Sequence, residues 1–127
     1  MPAYNAEQFA PPAPVAYVTL HPLGLDDPVT GVPMLMDTGA DVTLLPREYI
    51  EQMGVKPIAN KVYEIEGFDG EIKLAEAVQI ELVFSGKKFK GQFLILEQPI
   101  GILGRNILNT ISLLLDGPHE TWEEQKG

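Results

Sequence analysis

Asp37-Thr38-Gly39-Ala40 follows directly on the apolar run Val32-Pro33-Met34-Leu35-Met36. The order places a carboxylate at the end of a buried strand, beside a small hydroxyl residue and a glycine. A carboxylate so placed suits hydrolysis by a water held between two aspartates, one ionised and one protonated. The chain contains this tetrapeptide once. A mechanism needing two facing carboxylates must therefore recruit the second from another copy of the chain. A further signal stands far along the sequence, at Ile100-Gly101-Ile102-Leu103-Gly104-Arg105-Asn106-Ile107-Leu108. There, apolar residues lead through a glycine into a charged and polar pair that opens a short helix.

The elements that would position these residues follow from hydrophobic periodicity and turn chemistry. Val15-Ala16-Tyr17-Val18-Thr19-Leu20 is a β-rich run, closed by His21-Pro22, Gly24 and Asp26-Asp27-Pro28. The continuous apolar stretch Val32 to Met36 predicts a strand buried on both faces. After Val42-Thr43-Leu44-Leu45, the segment from Pro46 to Gly54 reads as a short helix, with Pro at its start and Gly at its end. Lys61 to Glu66 alternates with period two, meets the turn Gly67-Phe68-Asp69-Gly70, and returns through the alternating stretch Glu71 to Phe84. A second hairpin is expected at Ser85-Gly86-Lys87-Lys88, returning through Phe89 to Leu96. The pattern is all-β, with one or two short helices and no internal repeat.

The ends read differently from the middle. Residues 1–14 hold four prolines and several alanines and are expected to form a flexible arm. The domain is expected to span 15–116. The segment 117–127 is polar and acidic, and is expected to fray with Trp122 packing loosely at most.

Composition narrows the function classes. At 127 residues the chain suits one domain with its own core, and 45% hydrophobic with 21% charged residues is ordinary globular usage. The net charge of −9 argues against nucleic acid and anionic membrane surfaces, which need clustered Lys and Arg. Lys87, Lys88 and Lys90 are the nearest thing to a basic patch and read as a solvated hairpin. His21 and His119 stand apart from each other and from any ligand-spaced acidic cluster, so no metal site is implied. Absence of cysteine removes disulfides, thiolate sites and a thiol nucleophile. No signal-peptide pattern or membrane-length apolar run occurs, and a cytoplasmic, free-standing cellular protein is the expectation.

With these residues in view, the chain resembles the retropepsins, the retroviral-type aspartic proteases. The parallels are Met34-Leu35-Met36-Asp37-Thr38-Gly39-Ala40-Asp41, the hairpin tip Gly67-Phe68-Asp69-Gly70 leading into Ile72-Lys73-Leu74, and Pro99-Ile100-Gly101-Ile102-Leu103-Gly104-Arg105-Asn106. They come in the family's order and cover the chain from about residue 15 to about 115. The resemblance implies a closed β-barrel, an acid-protease half-domain with a flap hairpin. It implies a homodimer that cuts peptides with two copies of Asp37 and a shared water, and no cofactor. Thr38 would bond across the dimer axis, and Gly39 would let backbone approach backbone. Asp41 and Arg105 would form an ion pair near the interface. Phe68 would close over substrate, and Ala40, Val42, Leu44, Ile65, Ile100 and Ile102 would line apolar subsites. Hydrophobic residues flanking the cut are therefore expected. Ala40 cannot donate a hydroxyl hydrogen bond to the carboxylate as a serine could, so activity is expected to extend toward neutral pH.

Two rival readings remain at this level. The same fold can serve as a non-catalytic dimerisation or peptide-binding module, although such a chain would be expected to lose Asp37 or Gly39 first. Alternatively, Asp37 simply ends a strand in an Asx-type turn within an unrelated β domain.

Overall fold

A computed structural model describes residues 2–24, 27–67 and 69–125. The elements in chain order are β1 (Val15–Pro22), β2 (Val29–Met36), β3 (Leu44–Pro46), α1 (Arg47–Met53), β4 (Val62–Glu66), β5 (Ile72–Phe84), β6 (Lys87–Leu96), β7 (Gly101–Leu103), α2 (Arg105–Leu108), β8 (Leu113–Asp116) and β9 (Thr121–Glu124). Strands β1-β2-β7-β3-β6-β5 lie side by side, and pairing of β5 back onto β1 closes them into a six-stranded barrel. Closure leaves no free edge in this set. The chain is thus all-β with two short helices, as the alternating pattern predicts.

Alternation along the strands sorts side chains between interior and surface. Val18 and Leu20 of β1, Val32 and Met34 of β2, and Val78, Ile80 and Leu82 of β5 all point into the core and are almost fully buried. Ile50 of α1 and Ile107 of α2 plug the same core. Helix α1 stops where Gly54 adopts φ 75°, a left-handed turn that a side chain would disfavour. The β5–β6 turn likewise uses positive φ at Ser85 and Gly86, which suits the twist of a tight hairpin.

Strand β5 serves two structures. Its first part, Ile72 to Glu76, pairs with β4 in a hairpin that projects from the barrel, while Ile80 to Val83 pairs with β1 inside it. The root of that hairpin is tied down by Arg47, which bonds Glu76 and Glu97. Those hydrogen bonds, Glu97's first and then Glu76's, raise the guanidinium's affinity for its proton.

Two expectations are corrected. Strand β2 is not buried on both faces: Val32 and Met34 are sealed in the core, while Pro33, Leu35 and Met36 are half-buried on the other side. Nor do the described polar residues after Gly117 fray. Strand β9 pairs antiparallel with β8, setting Trp122 opposite Leu115. Trp122 is only 8% exposed, packs on Phe84 with ring centroids 6.2 Å apart, and donates its Nε1–H to the Val15 carbonyl at 3.2 Å. One large apolar side chain with a satisfied N–H holds an otherwise polar strand in place. The N-terminal arm is tied to this hairpin: Tyr4 N–H donates to the Glu120 carbonyl, and Trp122 N–H to that of Pro2.

Candidate active site

Asp37 is delivered by strand pairing. Met34, Leu35 and Met36 run parallel to Gly101, Ile102 and Leu103, and the Asp37 N–H extends the ladder by donating to the Leu103 carbonyl at 3.1 Å. Beyond that bond the chain turns sharply. Gly39 N–H donates to the Asp37 carboxylate at 2.9 Å, and Ala40 N–H donates to the Asp37 carbonyl at 3.2 Å. Taken alone this is an Asx-type turn. What separates it from an ordinary turn is its setting, since Asp37 is half-buried and opens into a cleft of about 390 Å³.

The cleft lies between the Asp37 loop and the β4–β5 hairpin. Ala40, Val42, Leu44, Ile65 and Ile102 all line it, joined by Leu96 and by Lys73, the cross-strand partner of Ile65. Apolar residues from three segments remote in sequence (Ala40, Val42 and Leu44; Ile65; Ile102) therefore share one wall beside Asp37, while Asp41, Glu66, Asp69 and Glu71 add acidic groups to the same cleft. Ile100 does not join them. It lines a separate cavity on the other side of Ile102. Phe68 lies outside the described residues.

The loop is held by a buried polar junction. Thr43 is 1% exposed. Its hydroxyl accepts the Gly104 N–H at 3.0 Å and donates to Asn106 Oδ1 at 2.7 Å. Arg105 N–H donates to the Ala40 carbonyl at 2.8 Å. Gly104 sits so close to this loop that a Cβ there would lie 2.6 Å from the Val42 carbonyl carbon and 3.1 Å from the Ala40 oxygen. Gly101 is confined in the same way, with a Cβ meeting the Leu44 oxygen and the Met34 sulfur. Gly104 is thus dictated by the close approach of the Asp37 loop, and Gly101 by that of β3 and β2, requirements no local pattern reveals. Thr43 was invisible in the sequence for a related reason, because a threonine between Val42 and Leu44 reads as a strand residue. A hydroxyl within an apolar run preceding the buried Leu44 and Leu45 is the one available hint.

The expected Asp41–Arg105 ion pair is not formed. Among the described residues neither side chain has an opposite charge within salt-bridge distance. The Arg105 guanidinium instead donates to the Thr38 carbonyl at 2.7 Å. The physical reason is local: the Arg105 backbone is already fixed to Ala40, so its side chain reaches the carbonyl at the turn of the loop. Asp41 lines the cleft and is exposed. Among the described residues, the Thr38 hydroxyl has no hydrogen-bond partner, and Thr38 is exposed at the tip of the turn.

Two comparisons bear on this arrangement. A family model described as retroviral aspartyl protease matches residues 23–116. Among solved structures, EIAV protease complexed with the inhibitor HBY-793 aligns with a TM-score of 0.59 and 24% sequence identity, over 84% of this chain and 91% of that chain. Identity that low speaks to the fold alone.

Proposed function

The chain belongs to the retroviral aspartyl protease family, and on that premise we propose that it is a homodimeric aspartic endopeptidase with Asp37 as its catalytic residue. One observation carries the proposal. The Asp37 carboxylate, half-buried, opens into an apolar-walled cleft beneath a projecting hairpin, on a loop braced from behind by Thr43, Gly104 and Arg105.

In the dimer, two Asp37 carboxylates hold a water between them and share one proton, because like charges at contact distance do not both ionise. The ionised carboxylate takes a proton from the water, whose oxygen attacks the peptide carbonyl. The protonated carboxylate donates to the carbonyl oxygen and stabilises the charge that develops there. Collapse of the tetrahedral intermediate, with a proton passed to the amine, breaks the C–N bond. Protonation belongs to the pair and not to either Asp37.

Thr38, exposed and with its hydroxyl free among the described residues, would bond its counterpart across the axis. Gly39 and Ala40 complete the turn, and Arg105 fixes it through the Thr38 carbonyl. The β4–β5 hairpin acts as the flap, closing over substrate to exclude water. Val42, Leu44, Ile65 and Ile102 favour hydrophobic side chains next to the cut. A second copy would dock through β8, whose outer edge is unpaired among the described residues and which exposes Leu114 (45%) and Leu115 (51%).

The test compares wild type with Asp37→Asn on a peptide library, with and without pepstatin. Cleavage by wild type that pepstatin blocks and the substitution abolishes is the expected outcome. Equal cleavage by both proteins refutes a catalytic Asp37. Specific activity should fall as the protein is diluted through the dimer dissociation range, and a flat value at the lowest concentrations contradicts a shared site.

A further inference from the structure

The N-terminal arm is built into a defined loop. Asn5 and Ala13 exchange backbone hydrogen bonds at 2.7 and 3.1 Å, closing residues 6–12 between them. The Asn5 side-chain oxygen accepts the N–H groups of Glu7 and Gln8 at 3.0 and 2.9 Å, and its amide nitrogen bonds the Gln8 side chain. This Asx turn, with Pro11 and Pro12 on the returning limb, restricts the loop and presents Phe9.

Phe9 does not fill the core. It is half-buried, lies outside the buried core cluster, and lines a cavity of about 330 Å³ with Leu35, Pro99, Ile100 and Ile102. Leu35 stands two residues before Asp37, and Ile102 also lines the Asp37 cleft. The cavity is therefore next door to the cleft, with Ile102 as the shared wall. Its surroundings are aromatic and aliphatic, apart from Gln8 and Gln98 at its margin. An open apolar cavity of this kind takes an apolar side chain.

We propose that the N-terminal arm supplies the outer wall of a second apolar subsite, and that Phe9 sets the size of the substrate side chain accepted there. The proposal rests on the reading of the Asp37 cleft as a peptide-cleaving site and adds to it a specificity-determining residue from outside the barrel. The preorganised loop lets the wall form without an ordering cost on binding.

The experiment uses the full chain as wild type, Phe9→Ala and Phe9→Trp. The probes are non-cleavable reduced-amide peptides carrying Ala, Leu, Phe or Trp on either side of the central bond. Their affinities are measured by calorimetry, and cleavage of the matching amide peptides is measured in parallel. At one of the two positions, Phe9→Ala should shift the affinity ratio of Trp to Leu upward by about tenfold, and Phe9→Trp should shift it downward. Opposite shifts from a smaller and a larger residue are not produced by general destabilisation. Unchanged ratios, ratios moving the same way in both variants, or failure of every probe to bind overturn the proposal. If the ratios move as stated but wild type cleaves nothing, the subsite stands and the endopeptidase reading falls. If wild type cleaves and the ratios stay fixed, only the arm proposal is lost.

Discussion

Thr43 offers the sharpest test of how the Asp37 loop is held. Thr43→Val preserves shape and removes the hydroxyl, which leaves the Gly104 N–H unpaired in a site that is 1% exposed. An orphaned buried donor costs about 1–3 kcal/mol. Loss of the 2.7 Å bond to Asn106, which is itself exposed, adds about 1 kcal/mol. The expected destabilisation is therefore about 2–4 kcal/mol. For a domain of this size each kcal/mol lowers Tm by roughly 3–5 °C, so a drop of roughly 10 °C is expected. Thr43→Ser keeps both hydrogen bonds and loses one methyl, for about 1 kcal/mol. Thermal denaturation of the three proteins at matched concentration, which a dimer requires, should rank them wild type, Ser, Val. A Val variant melting within about 2 °C of wild type, or below a Ser variant by nothing measurable, would show that the junction does not brace the loop.

Gly104→Ala should be more damaging, since its Cβ meets backbone atoms of Val42 and Ala40 that no side-chain rotation can clear. A cost of about 3 kcal/mol or more and a loss of activity are expected by melting and cleavage assays, whereas Gly91→Ala, with nothing within 4 Å of its Cβ, serves as the tolerated control. Arg105→Ala removes an exposed guanidinium from the Thr38 carbonyl, so stability should change by about 1 kcal/mol or less while the concentration needed for activity rises; the reverse pattern, a large stability loss with unchanged dilution behaviour, counts against a role at the interface. Ala40 lines the cleft without a hydroxyl, so the profile of kcat/KM against pH should extend toward neutrality. Ala40→Ser, by donating to the ionised carboxylate and favouring it, should move that profile to lower pH, and a wild-type optimum confined to strongly acidic pH would refute the argument.

The all-β pattern was legible because strand periodicity and turn chemistry agree along most of the chain, whereas the closed barrel was implied only by the family resemblance. The hairpins at Gly67–Gly70 and Ser85–Lys88 announced themselves through glycine-rich turns between alternating runs. The helix that ends at Gly54 carried its own stop signal. The C-terminal hairpin was misread because residues 117–127 are polar on average, while one tryptophan carries the packing that fixes strand β9. Strand β2 was read as doubly buried because composition cannot distinguish a core face from a face that is only half-covered. Arg105 was paired with Asp41 because the resemblance implied it, although its reach is set by a backbone bond to Ala40 that only the folded chain makes.

By itself, the sequence determined that an aspartate ends an apolar strand, that a glycine-spaced apolar segment follows far along the chain, and that strands of alternating pattern lie between them. Those are local properties, fixed by side-chain type and spacing. Only the tertiary structure decided that β2 and β7 run side by side, and so that Ile102 walls the Asp37 cleft while Ile100 faces a different cavity. It also decided that Gly104 must lack a side chain, that Thr43 must carry a hydroxyl, and that the arm brings Phe9 to the far side of Ile102. Each of these depends on the distance between segments remote in sequence, which barrel closure sets for the strands and the arm's own hydrogen bonds set for Phe9.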